Sequence, residues 1–232
     1  MSIAKKLTTI AENEQKVYDA GKKAEYDKFW DAYQYNGKRT QYIYAFSGGN
    51  GYGWNDDSFY PKYDMQPAHM LGMFSGNVCT NLKQRFEECG ITLDTSNCKY
   101  FKSAFENAHT SELPKLNLSK MKDCAYLFSS SSIKKLDIIF SESTSINSTS
   151  AFSIIPYLTD LTIEGVLGSN NFSISGSTQL THESLMNIVN CLKDYSDYTG
   201  TTVYKVTLGT TNLNKLTDEE KAIATEKGWT LV

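Results

Sequence analysis

Leu113-Pro114-Lys115-Leu116-Asn117-Leu118 sets out a spacing: an apolar residue, two residues, apolar, one residue, apolar. The same spacing returns in Ile133-x-x-Leu136-x-Ile138, Leu158-x-x-Leu161-x-Ile163 and Val203-x-x-Val206-x-Leu208, and Ile91-x-Leu93 lacks only the first member. The central residues Ile91, Leu116, Leu136, Leu161 and Val206 stand 25, 20, 25 and 45 residues apart. Side chains alternate across a strand, so Leu116 and Leu118 would enter a core while Asn117 faces out. A period of about 20–29 residues with this spacing is that of a leucine-rich-repeat solenoid, in which units close a core only by stacking. The spacing therefore predicts an α/β solenoid over residues 71–209: a leucine-rich-repeat right-handed superhelix with short parallel strands. Each unit would open on a helical or turn segment carrying Phe86, Phe105, Phe128 or Phe152.

Upstream, residues 3–34 hold no Pro and one Gly and are rich in Ala, Glu and Lys, which predicts a helix within an N-terminal segment 1–36. Ile3, Ile10, Val17 and Ala24 recur every seven residues, but the second line of the heptad is Leu7, Glu14, Gly21 and Lys28. That seam is half made, and the helix either associates with a second copy or packs on its own domain through Tyr18, Tyr26, Phe29, Trp30 and Tyr33. Residues 37–70 form an aromatic and glycine-rich connection. Tyr42, Tyr44 and Phe46 alternate as in a short strand, and Gly48-Gly49-Asn50-Gly51-Tyr52-Gly53-Trp54 is turn chemistry. No Gly-Lys-Ser/Thr follows it, so it is no phosphate loop. Residues 141–150 read as a polar loop. Downstream, Thr181 caps a predicted helix running to about Tyr195, with Leu185, Ile188, Val189 and Leu192 on one face. Residues 210–232 are expected to close the superhelix, with a capping box of Thr217 and Glu220, a helix to about Lys227 and a stop at Gly228.

The chain's 232 residues suffice for a sizeable core, and a net charge of −3 with 21 % charged residues favours neither nucleic acid nor an anionic membrane. The five cysteines are odd in number and lack a C-x-x-C, so they read as small buried hydrophobes rather than a zinc site or a disulfide framework. Sequons stand at Asn117, Asn147 and Asn171. No apolar run follows Lys5-Lys6, and no stretch is long enough to span a bilayer. The expected location is cytoplasmic or on a virion, without membrane insertion.

Chemistry has few candidates. His69, His109 and His182 lie apart without metal-ligand spacing, no Gly-x-Ser-x-Gly elbow occurs, and the pairs Asp56-Asp57, Glu87-Glu88 and Glu219-Glu220 are adjacent and share no face. No catalytic residue, metal or cofactor is expected. The strand face is the stronger candidate: Lys115, Asn117, Ser119, Lys135, Asp137, Asp160, Thr162, Glu164, Lys205 and Thr207 would form a polar surface of mixed charge, with Thr92 beside it. Lys115, Lys135 and Lys205 occupy equivalent positions in the repeat, interrupted by Asp160.

The repeats, a Phe followed by an L-x-x-L-x-L strand with Asn, Asp or Thr outward, resemble the BspA-type leucine-rich repeats of bacteria over residues 71–209, with uneven unit lengths. The flanks, Ile10 to Asp31 and Leu213-Asn-Lys-Leu-Thr-Asp-Glu-Glu-Lys, resemble phage and prophage tail-associated proteins of gut bacteria. The resemblance implies a non-catalytic protein that binds a protein or glycan ligand, attached through its N-terminal helix; it transfers no functional residue. Two alternatives stand beside this reading: a tail-associated structural component assembled as a homo-oligomer through that helix, and a glycan-active enzyme using Asp56 or Asp57 with a carboxylate from the repeats.

Overall fold

The computed structural model describes Phe46 and residues 64–142, 150–170 and 172–232. The expected N-terminal helix, the Tyr42–Tyr44 part of the short strand, the glycine-rich segment with Asp56 and Asp57, two of the sequons (Asn147 and Asn171) and residues 143–149 of the polar loop lie outside the described residues. The chain divides into two units, and every described residue belongs to the second, Thr40–Val232.

The described elements run α1 (Leu82–Cys89), β1 (Leu116–Asn117), β2 (Lys135–Phe140), β3 (Asp160–Gly165), α2 (His182–Cys191), β4 (Tyr204–Val206), α3 (Thr210–Leu213), α4 (Asp218–Glu226) and β5 (Trp229–Leu231). Strands β1, β2 and β3 form one parallel sheet in that order, and β4 and β5 form a second parallel pair. Leu116, Leu136, Ile138, Leu161 and Ile163 are buried as the period-two reading requires.

Two small separate sheets overturn the expected leucine-rich-repeat superhelix, whose strands would run as one ribbon across residues 71–209. The physical reason lies at the outer edge of β3. Helix α2 takes the place of a further strand there, and its side chains bond the open backbone. Ser184 Oγ accepts from Leu161 N–H at 2.9 Å, and Asn187 Oδ1 accepts from Ile163 N–H at 2.7 Å. Asn187 Nδ2 returns a bond to the Ile163 carbonyl at 3.3 Å. An edge satisfied by side chains cannot pair with another strand. On the other side of the sheet the pairing thins to isolated bridges, Met65 with Leu93, His69 with Tyr100 and Tyr100 with Asp123.

Opposite the strands, the chain makes turns that settle their own hydrogen bonds. Gly72, Phe74 and Gly76 donate to the carbonyls of Lys102, Ala104 and Glu106; Ser103, Phe105 and Asn107 donate to Ala125, Leu127 and Ser129. The residues between them bond three positions back, Met73 to Met70, Ser75 to Gly72 and Ala104 to Phe101. Alternate amides thus serve the neighbouring segment and the local turn, which leaves few buried donors idle. Left-handed backbone at Gly72 and Gly76, Ser103 and Asn107, and Tyr126 and Ser130 brackets Phe74, Phe105 and Phe128, and at Ser150 it precedes Phe152. The rings of Phe46, Phe74, Phe105, Phe128, Phe152 and Phe172 pack successively at 5.3–5.8 Å. Phe86, read as carried on a helical or turn segment, sits buried on α1, outside this column.

Both predicted downstream helices form. α2 is capped by Thr181, whose hydroxyl accepts from Ser184 N–H, and ends at Cys191 rather than near Tyr195. Lys227 Nζ donates to the carbonyls of Val189 and Asn190 and holds that end. α4 begins with the full capping box of Thr217 and Glu220. Val203, read as the first apolar residue of a repeat, is exposed. Among the described residues no helix is long and apolar enough to cross a membrane.

Candidate binding surface

The register of the three-stranded sheet decides which outward residues are neighbours. Leu116 pairs with Ile138, not with Leu136, and Ile138 pairs with Ile163. The first strand is therefore set two residues along from the alignment the repeat suggests. A shift of two keeps every side chain on its face, so the burial pattern survives, but the lateral rows change. Lys135 lies opposite Asp160, Asp137 opposite Thr162, and Asn117 and Glu164 flank Ile139.

Lys115, Lys135, Asp137, Thr162 and Glu164 are exposed, and Asp160 is half-buried. Lys115 reaches diagonally across β2 to form an ion pair with Glu164. The Asp160 carboxylate accepts from Thr159 Oγ at 2.7 Å. Asn117 does more structural work than an outward residue need do. Its N–H donates to Thr95 Oγ at 2.7 Å, its carbonyl accepts back from that hydroxyl, and its Oδ1 accepts from Ser119 N–H at 3.0 Å, closing a turn that ends β1. The Ser119 carbonyl accepts from Ser141 Oγ at 2.9 Å.

Lys205 and Thr207 do not join this surface. Lys205 lies on β4 opposite Thr230, with its N–H bonded to Asn170 Oδ1 at 2.6 Å, and Thr207 bridges to Ser173. The lysines that share a position in the repeat form no row: Lys135 faces Asp160, Lys115 pairs with Glu164, and Lys205 belongs to the second sheet. Thr92 is taken up by Asp64, whose carboxylate accepts from its N–H at 2.7 Å and its hydroxyl at 2.8 Å.

Among the described residues, the carboxyls whose titration departs from the ordinary range all move down. Backbone and side-chain bonds from Thr92 hold Asp64 low, Ser96 holds Asp94 low, Ser196 holds Asp194 low, and the Thr217 amide with His182 holds Glu220 low. Burial pushes the Cys98 and Cys191 thiols up to about 12. These shifts favour locked turns and inert thiols rather than poised acids or nucleophiles. Among the described residues no cluster of His, Cys, Asp and Glu could hold a metal ion.

Sequence reasoning missed Ser184 and Asn187, the residues that define the edge of this surface. The signal was present as two polar residues three apart on the apolar face of a predicted helix. Compared with known protein families, curated proteins and solved structures, the chain matches none.

Proposed function

We propose that the chain is a non-catalytic recognition protein and that the face of the three-stranded sheet contacts a protein ligand. The observation that carries this reading is the exposed patch of Lys115, Lys135, Asp137, Thr162 and Glu164, set by in-register strands whose opposite face is buried. The backbone of strands packed this way loses little further freedom on binding. The patch carries both signs of charge and no aromatic ring. It suits the mixed charges of a protein partner, where complementarity gives specificity and encounter rate. A glycan reading of the same face lacks the flat ring on which a sugar would stack.

A protein array probed with the whole chain tests this. The expected result is a target whose affinity falls about tenfold or more with Asp137→Lys and with Thr162→Arg, and is unchanged by Lys221→Gln on α4. Equal retention of every target by all three variants overturns it.

A further inference from the structure

A second surface lies apart from the patch of charged strand residues, where the segment at residues 68–69 runs beside residues 97–100 and 120. It is an open cleft of about 570 Å3 lined by Ala68, His69, Asn97, Lys99, Tyr100 and Lys120. The His69 and Tyr100 rings stack there with centroids 4.4 Å apart and planes 21° from parallel, on backbone joined by a parallel bridge. Because they lean on each other, they leave no slot for a flat base between them. Tyr100 nevertheless stays 38 % exposed and lines the cleft.

The rim carries two lysines, Lys99 and Lys120. Among the described residues neither Lys99 nor Lys120 has a carboxylate partner within ion-pair distance. Lys120 Nζ donates to Asn97 Oδ1 at 2.7 Å, which orients the amide and leaves its N–H groups as donors. Asp94, which accepts from Ser96 N–H at 2.9 Å, also lies near enough for its charge to act on Lys120, and Asp123 accepts from Ala125 N–H at 3.2 Å.

We infer that this cleft binds an acidic sugar, a pyranose carrying a ring carboxylate. The ring's C–H face lies on Tyr100, the carboxylate meets Lys99 and Lys120, and a hydroxyl accepts from the Asn97 amide. Each partner answers one feature of that ligand: an apolar ring face, a charge and hydroxyls. A neutral sugar leaves the two ammonium groups unused, and a flexible polyanion leaves the tyrosine unused.

Titration of the whole chain with hexagalacturonate, galactohexaose and polyglutamate tests the inference. Hexagalacturonate is expected to bind about tenfold or more tightly than either control. That affinity is expected to fall about tenfold or more in Lys99→Gln/Lys120→Gln and in Tyr100→Ala, and to stay unchanged in Lys221→Gln on α4. The lysine pair is exposed, so its replacement keeps the fold and carries the test even if Tyr100→Ala does not fold. Absence of hexagalacturonate binding overturns the inference, as does binding indifferent to the lysine substitutions. Polyglutamate binding as tight as hexagalacturonate also overturns it, because charge alone would then suffice. None of these results bears on the strand face, whose own variants report separately.

Discussion

At the scale of single residues, the backbone asks most of the positions with left-handed geometry. Gly165 has φ +85°, and a Cβ there would stand 2.2 Å from the Phe140 carbonyl oxygen of the neighbouring strand. Gly90, the C-cap of α1, has φ +63° and open space around the same position. Gly165→Ala therefore combines backbone strain with a clash and is expected to cost about 2–4 kcal/mol, against about 1 kcal/mol for Gly90→Ala, read by urea unfolding. Equal losses would mean that β3 shifts to make room. Tyr126 is the opposite case. It holds φ 58° where the equivalent turns place Gly72, Ser103 and Ser150, a conformation that bulky residues rarely adopt. Tyr126→Asn, the residue type that holds φ 56° at Asn107, is expected to stabilise by about 0.5–1 kcal/mol and raise the melting temperature. These turns were partly legible in the sequence. The phenylalanines stood out, but the left-handed residues beside them did not, since a Ser carries no mark of its φ until its neighbours are known.

Among elements, the sequence placed α2, α4 and the apolar faces of β1, β2 and β3, and misjudged how strands meet. The spacing around Leu116, Leu136 and Leu161 gave the correct inward faces because burial has a period of two. It could not distinguish registers that differ by two, so Asn117 was aligned with Asp137 instead of Ile139. It also could not show that α2 would take a strand's place, because that depends on two polar side chains meeting two particular amides. Asn187→Ala tests this arrangement. The substitution leaves the Ile163 N–H and carbonyl without partners and is expected to cost about 1–3 kcal/mol, with hydrogen exchange accelerated at the Ile163 amide more than at Ile138. Unchanged exchange at Ile163 would show that the helix covers the edge without bonding it. The capping box of α4 has its own signature in pH. Glu220 is held below its ordinary value of 4.5, first by the Thr217 amide and then by His182. A carboxyl depressed in the folded state binds its proton more readily when unfolded. Its contribution is therefore complete above about pH 4.5 and is lost as pH falls through the lower folded value. Glu220→Gln is expected to flatten the acid limb of the stability curve below pH 4.5, measured by unfolding across that range. An acid limb as steep as that of the parent chain would assign it to Asp64, Asp94 and Asp194 instead.

For the whole molecule, the question is whether the described core opens as one body or segment by segment. The phenylalanine column from Phe46 to Phe172 joins successive turns ring to ring, and alternate amides of each turn donate to the next. Cys98 and Cys124 sit fully buried in two adjacent segments, just ahead of Phe105 and Phe128, as the composition led one to expect of small apolar positions. Separating one segment from its neighbour exposes both sides of a ring contact and breaks a row of backbone bonds at once. Partial opening is thus nearly as costly as complete opening in the middle of the stack and cheaper only at its ends. Thiols react as thiolates, and burial holds Cys98 far from that form, so alkylation reports opening rather than native reactivity. Pulse alkylation across a urea series should label Cys98 and Cys124 together, on the same curve as the loss of circular dichroism. Cys191, half-buried at the end of α2 and outside the column, should be labelled at lower urea. Labelling of Cys98 well before Cys124 would mean that the turns stack without cooperating, and that the rings fill space rather than couple the segments.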